Sequence, residues 1–366
     1  LSGVDFGFNF DTVVNTNDSG QGSLRQFILN ANLLGGEASL AQVGLAAGKE
    51  RSIFMLPLTD PRYINSDGVA NNGDEFWRIP LLNGLPETTG AETVLDASTQ
   101  AGSQCNPVVG RRLVVELDGS NVSNLTGTAI TLAGPYNGVR GFAIGSNSGN
   151  QFTFGIYLRK RTVFESQTPA HDSVIACNNI GATPSGQAYP VRFYTDAVGI
   201  FADNVTVGGS DPADRNIIGS ADDDGVESEG NATIIRNNYI GLAADGVSKL
   251  PLNDHVVALW PPGSNMTVID NKLAVTRFGI FSQSSGTTVR NNTIGLTANG
   301  QSVVAGGEYL LQFQAGNALA ENNLFASGGA GGQPAVILMD GSTFQNNTIG
   351  FNSAGISVAG SGSAHV

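Results

Sequence analysis

The segments RNNYIG (236–241), RNNTIG (290–295) and QNNTIG (345–350) repeat one short pattern. CNNIG (177–181) and RNIIG (215–219) are shorter copies of it, and DNKLAV (270–275) and ENNLFA (321–326) are weaker ones. Recurrence every ~20–40 residues marks a solenoid, with insertions in some coils. A second pattern interleaves with the first: a short strand of alternating apolar residues, usually after Gly. Its leading inward positions are expected at Ile130, Ile156, Ile200, Val226, Val256, Ile280, Leu310, Val336 and Ile356. Each coil then holds at least two strands. One is typified by FGIYLR (154–159) or FGIFSQ (278–283), the other by ATIIRNNYIG (232–241) or TTVRNNTIG (287–295).

A strand this short cannot bury its own face. Stacking copies ~4.8 Å apart satisfies the backbone and aligns Ile, Val and Leu into one core. Asn at corners tolerates left-handed backbone and bonds local groups, and stacked Asn side chains can form a ladder. The pattern therefore predicts an all-β, right-handed parallel β-helix. LAADGVSKLPLND (242–254) and LTANGQSVVAGGE (296–308) read as loops leaving one side of it, and such loops often wall a binding face.

An open solenoid end needs a cover. GSLRQFILNANLLGG (22–36) supplies an amphipathic capping helix. Ser23 is its expected N-cap. Leu24, Phe27, Ile28 and Ala31 form one stripe at helical spacing, and Gly35-Gly36 ends it. GVDFGFNF (3–10) alternates and reads as a strand. The expected division is 1–50 for the N-terminal strand and cap, and 51–366 for one continuous β-helix.

The composition agrees. Of 366 residues, 49 are Gly and only 13% are charged, which suits many short strands and tight turns. The net charge of −13 disfavours nucleic acid and anionic membranes as partners. No apolar run reaches the ~20 residues of a membrane span. The chain opens on Leu1-Ser2 and reads as a mature product or part of something longer. Cys105 and Cys177 have no zinc-spaced partners, and whether they are bonded stays open.

VVNTNDSGQGSLRQFILNAN (13–32), SIFMLP (52–57), LDASTQAG (95–102) and VVELDGSN (114–121), followed by the NxIG coils, resemble bacterial secreted β-helix repeat surface proteins of the pectate-lyase-like superfamily. The resemblance spans nearly the whole chain. It implies an extracellular or cell-surface location in a bacterium and a place within a longer chain.

Alternation assigns the faces. Tyr157, Arg159, Phe201, Asp203, Glu227 and Glu229, with Trp260 near one edge, are expected to face out together. Rings beside carboxylates suit sugar binding, because the ring stacks on the sugar while the carboxylates accept its hydroxyl protons. Leu311, Phe313, Ile337 and Met339 are expected to form an outward apolar stripe that a loop, another copy of the chain or a neighbouring surface domain covers. A one-residue register slip would exchange inside and outside.

YTDAVGIFADNVTV (194–207) and SADDDGVESEGNATI (220–234) resemble the aspartate-bearing strands of the polygalacturonase family. That resemblance places Asp196, Asp223 and Asp224 as acid and water-activating groups, with His255 about one coil later. Inverting hydrolysis wants carboxyls ~6.5–9.5 Å apart. The family's Gly-His-Gly turn and Arg-x-Lys motif are missing. Asp222, Asp223 and Asp224 are also expected as weak Ca²⁺ ligands, with no other cofactor implied. The leading expectation is a non-catalytic structural or adhesive extracellular module that self-associates. The alternatives are a polysaccharide-active hydrolase or uronate lyase/epimerase on the acidic face, or a glycan-binding module without turnover.

Overall fold

The computed structural model describes residues 11–34, 42, 44–46, 48–69, 74–107, 110–123, 127–159, 169–304, 306–326, 334–339, 341–350 and 355–359. Among the described residues one α-helix, α1 (Leu24–Leu34), buries Leu24, Phe27, Ile28 and Ala31. Ser23 Oγ accepts the Gln26 N–H at 3.2 Å, as an N-cap does. Segment 3–10 and the Gly35-Gly36 stop lie outside the described residues.

The rest of the described chain winds through three long sheets of ten, eleven and nine strands. One coil visits all three in turn: Ile234–Arg236, then Tyr239–Ile240, then His255–Leu259. Neighbouring strands pair in parallel, except where Tyr63–Ile64 runs antiparallel to Phe76–Pro80. Such crossovers are right-handed by the chirality of L-residues, and the fold is a right-handed parallel β-helix. One apolar core runs from Val13 through the helix to Phe344, so cap and solenoid share it.

The Asn corners explain the repeat. In the pairs Asn237-Asn238, Asn291-Asn292 and Asn322-Asn323 the first residue takes left-handed backbone (φ 57°, 57° and 56°). The second turns inward and stacks. Asn178, Asn216, Asn238, Asn271, Asn292 and Asn323 are buried, and each side-chain amide donates to the next Oδ1 at 2.9–3.3 Å, ending on Asn347. Every link also accepts a backbone N–H, as Asn271 Oδ1 does from Asn238.

Cys177 fills the left-handed corner in its coil and is bonded to Cys105, 72 residues away. Closing a loop of that length stabilises the fold by about 4 kcal/mol on chain-entropy grounds.

The nine-stranded sheet corrects part of the expected register. Its inward column is Ile130, Ile156, Val198, Val226, Val257, Ile280, Leu311, Val336 and Ile356. Ile200 therefore lies two residues further along, and Val256 and Leu310 one residue off. Leu311 and Phe313 are core residues, 0% and 1% exposed, and the outward positions there belong to Gln312 and Gln314. HVVAL (255–259) and YLLQF (309–313) carry apolar residues at both parities, so alternation alone could not choose a phase. Ile337 and Met339 do alternate outward and are half-buried.

Candidate functional site

The outer face of the nine-stranded sheet carries three parallel columns. The first follows the strand centres: Thr131, Tyr157, Gly199, Glu227, Ala258, Phe281 and Gln312. The second lies just past the strands, where each backbone N–H bonds the preceding coil. It runs Arg159, Phe201, Glu229, Trp260, Gln283 and Gln314. The third lies where the chain enters the sheet. Asp224 N–H donates to Asp196 Oδ1 (3.0 Å), His255 N–H donates to Asp224 Oδ1 (2.8 Å), and His255, Phe278 and Tyr309 continue in register.

The columns converge on an acidic centre. Asp224 Oδ1 and Asp254 Oδ2 each lie 3.1 Å from His255 Nδ1, and His255 Nε2 lies 2.9 Å from the Tyr309 hydroxyl. Facing two carboxylates, Nδ1 is assigned a proton. Asp196 and Glu227 hydrogen-bond each other. Burial, the Glu227 partner and the charge of Asp224 push the Asp196 carboxyl from 3.8 up to about 9. Glu227 is raised mainly by burial, against the lowering effect of its bond to Asp196. Burial also raises Asp223 and Asp254, with Asp224 adding repulsion to both. Burial and the surrounding carboxylates raise Tyr309. At the rim, Arg277 reaches Asp254 (3.4 Å) and Glu308 (3.5 Å).

Aromatic rings flank this centre along the solenoid axis. On the N-terminal side Tyr157 lies 5.1 Å from Phe154 and 5.3 Å from Phe201. On the C-terminal side Trp260 packs on Phe281 (4.8 Å), and Phe278 stacks on Tyr309 (4.7 Å).

The structure brings together Asp196, Asp223, Asp224 and His255 from the expected site, with Glu227, Glu229 and Trp260 beside them. Phe201 shifts by two residues from its expected register, which preserves its outward face. Asp203 leaves the face: its Oδ1 accepts the Asn231 backbone N–H (2.8 Å) at a corner. Asp222 turns away to Arg192 (3.0 Å) and Asn253. Among the described residues Asp196, Asp223 and Asp224 form an oxygen triad instead, with atoms all within 4.8 Å. That set could hold a hard cation such as Ca²⁺. It is tighter than the spacing expected for an inverting pair with water between. Tyr157 and Arg159 lie about three coils, ~14 Å, from His255 and share no centre with it. Sequence reasoning missed Asp254, Phe278 and Tyr309. Asp254 adjoins His255 in NDHVVALW, and the signal for Tyr309 was lost in the ambiguous phase of YLLQF.

No family model matches the chain. Among solved structures it is similar to the Dettilon tailspike protein, at 11% identity over 96% of this chain and 67% of that one, with TM-score 0.44. The A-module of the Azotobacter vinelandii mannuronan C-5 epimerase AlgE4 gives 12%, 97%, 99% and 0.43. An alginate lyase from Paenibacillus sp. gives 12%, 78%, 85% and 0.33. These values are too low for any property of those proteins to transfer to this chain.

Proposed function

We propose that the chain is a polysaccharide-active enzyme that hydrolyses glycosidic bonds on the outer face of the nine-stranded sheet. One observation carries the reading. Asp196 keeps its proton to about 9 while Asp224, bonded to its oxygen through the backbone, holds the His255 imidazole. A carboxyl that keeps its proton beside a second carboxyl in a different environment is how one site supplies both an acid and a nucleophile. Asp196 donates its proton to the glycosidic oxygen as the C–O bond breaks. Asp224, too close to Asp196 for a water between them, attacks the anomeric carbon as that bond breaks. Water then displaces the ester, giving its hydroxyl to the sugar carbon and its proton to Asp196, and Asp224 leaves as the carboxylate. Asp223 and Asp254 complete the field that favours positive charge at the reacting carbon.

The same field favours a neutral glycan over a uronate, because an incoming carboxylate would meet like charge. Tyr309, its proton held more tightly than usual, is poorly suited to abstracting a proton from a uronate ring. A second reading, glycan binding without turnover, draws on the aromatic flanks. The structural and adhesive reading is weakened, since Leu311 and Phe313 of its contact stripe lie in the core. An extracytoplasmic location is supported by the Cys105–Cys177 disulfide.

The test is a panel of neutral and acidic polysaccharides, followed by reducing-end release and by the ultraviolet absorbance of unsaturated uronates. Hydrolysis predicts new reducing ends without that absorbance, lowered ~10²–10⁴-fold in Asp196→Asn and Asp224→Asn. Unsaturated products would replace hydrolysis with elimination. Binding with no turnover anywhere in the panel would leave the second reading.

A further inference from the structure

A cavity of about 390 Å³ opens at the N-terminal end of the same face, lined by Asn83, Glu87, Thr128, Thr131 and Tyr157. We infer that it is a distal sugar-ring subsite, continuous with the acidic centre and held in place by the capping helix. The inference rests on the reading of this face as a glycan cleft.

Register places the cavity on the axis of the cleft. Thr88 bridges Leu132 in parallel, and its N–H donates to Thr131 O at 2.8 Å. Glu87 therefore stands at the head of the column Thr131, Tyr157, Gly199, Glu227. From Tyr157 to Glu227 is two coils, ~10 Å, and the Phe154–Tyr157–Phe201 rings floor that interval. A chain seated in the cavity reaches the acidic centre over apolar ring faces, and the Trp260–Phe281 pair continues the floor beyond it.

The lining suits one hydroxyl-rich ring. Glu87 offers a carboxylate to accept from hydroxyls. Asn83 Oδ1 is occupied by the Ser123 hydroxyl (2.8 Å), while its Nδ2 has no partner among the described residues. That leaves a donor beside the acceptor. Thr131 supplies a group of either kind, and Tyr157 a partly exposed ring. A volume of this size falls near the lower end of small-ligand sites. Among the described residues the lining holds one carboxylate, that of Glu87, which lies 4.0 Å from Arg159 Nε.

The wall is built from the cap. Arg25 of α1 donates to Gly84 O (2.9 Å) and Asn83 O (3.0 Å). Asn32 donates to Glu87 O (2.7 Å) and accepts the N–H groups of Thr89 (2.8 Å) and Gly90 (3.0 Å). At Gly84 a Cβ would meet Thr128 O at 2.3 Å, so only glycine lets the loop lie this close. The helix that closes the solenoid thus also positions the subsite, and Arg25 and Asn32 are its positioning residues.

The test uses the full chain and an oligosaccharide ladder of whichever polysaccharide in the panel is cut. Wild type should prefer the longer members. Thr131→Phe, which fills the cavity, and Tyr157→Ala should each lower the ratio of long- to short-substrate kcat/KM about tenfold, about 1.4 kcal/mol. Both should move the cleavage position by one sugar. Tyr157→Phe should restore the preference, because the ring is retained. Asn32→Ala should shift the product pattern in the same direction with a native melting transition. Unchanged preference and products in Thr131→Phe and Tyr157→Ala, with an active wild type, would overturn the subsite alone. If no polysaccharide is cut, the hydrolase reading fails and the subsite is read by calorimetry with neutral cello-, malto- and xylo-oligosaccharides. Binding lost in Thr131→Phe supports it, and no binding to wild type overturns it.

Discussion

His255 Nε2 lies 2.9 Å from the hydroxyl of Tyr309, two coils further along the same column, across the ring of Phe278. With Asp224 and Asp254 on Nδ1, the imidazole is held at both nitrogens and cannot swing from the face. If His255 orients the attacking Asp224, His255→Gln should lower turnover ~10²-fold. Tyr309→Phe keeps the stack on Phe278 but removes the hydroxyl, and should cost about tenfold, the scale of one hydrogen bond to a polar partner. Initial rates of reducing-end release measure both, and wild-type rates in both variants would remove His255 from the chemistry.

The proton on Asp196 has a consequence for stability. Its folded-state affinity is raised from 3.8 to about 9, chiefly by burial. The folded protein therefore binds a proton that the unfolded chain releases, and stability falls as pH rises. The stabilising difference is complete below about 4 and is lost progressively as pH climbs toward about 9. Asp196→Asn removes the ionisation. Urea midpoints recorded across this window should decline less steeply in the variant. A parallel decline would mean that Asp196 is ionised in the native state.

The Asn ladder supports a third prediction. Asn271→Ala strands the backbone N–H of Asn238 and one of the two protons of its side-chain amide, the other staying on Val207 O, and both lost bonds are buried. Each orphaned donor costs about 1–3 kcal/mol, so urea unfolding should show a loss of at least ~2 kcal/mol. Asn347→Ala ends the same ladder at a part-buried link and should lose less. Equal losses at the two positions would deny that burial sets the penalty.

The solenoid was legible in the sequence because its signals are local. Left-handed corners need Asn or Gly, and short strands need alternation, so the NxIG unit names its own structure. Ser23 and the Leu24–Ala31 stripe were equally local. The acidic centre was legible only in part. Asp196, Asp223 and Asp224 sit beside unambiguous strands. The position of Tyr309 depends on the phase of YLLQF, where Leu310 and Leu311 satisfy either choice. Both are fully buried. Pairing with Phe278 and His255 decides the phase, and such pairing joins residues 23 and more positions apart, beyond any local pattern. The Cys105–Cys177 bond was left open for a similar reason, since it joins a hairpin to a corner 72 residues away.

The same phase choice separates two accounts of the later coils. With Leu311 and Phe313 inside, Leu311→Ala should remove about 3 kcal/mol and Phe313→Ala about 4 kcal/mol, the scale of a core truncation that leaves a cavity. Neither should change the elution volume on size exclusion. Ile337 and Met339 are the outward, half-buried residues of the next coil, so Ile337→Asp and Met339→Asp probe the surface alone. Away from the core they should change stability far less than Leu311→Ala. If the face were a contact between copies of the chain, those two variants would shift a larger assembly toward the single chain. The structure predicts the opposite pattern, with stability lost at Leu311 and Phe313 and the hydrodynamic size unchanged at all four positions. A soluble, fully stable Leu311→Asp protein would return that residue to the surface, and the outward columns of this coil would then have to be renumbered by one.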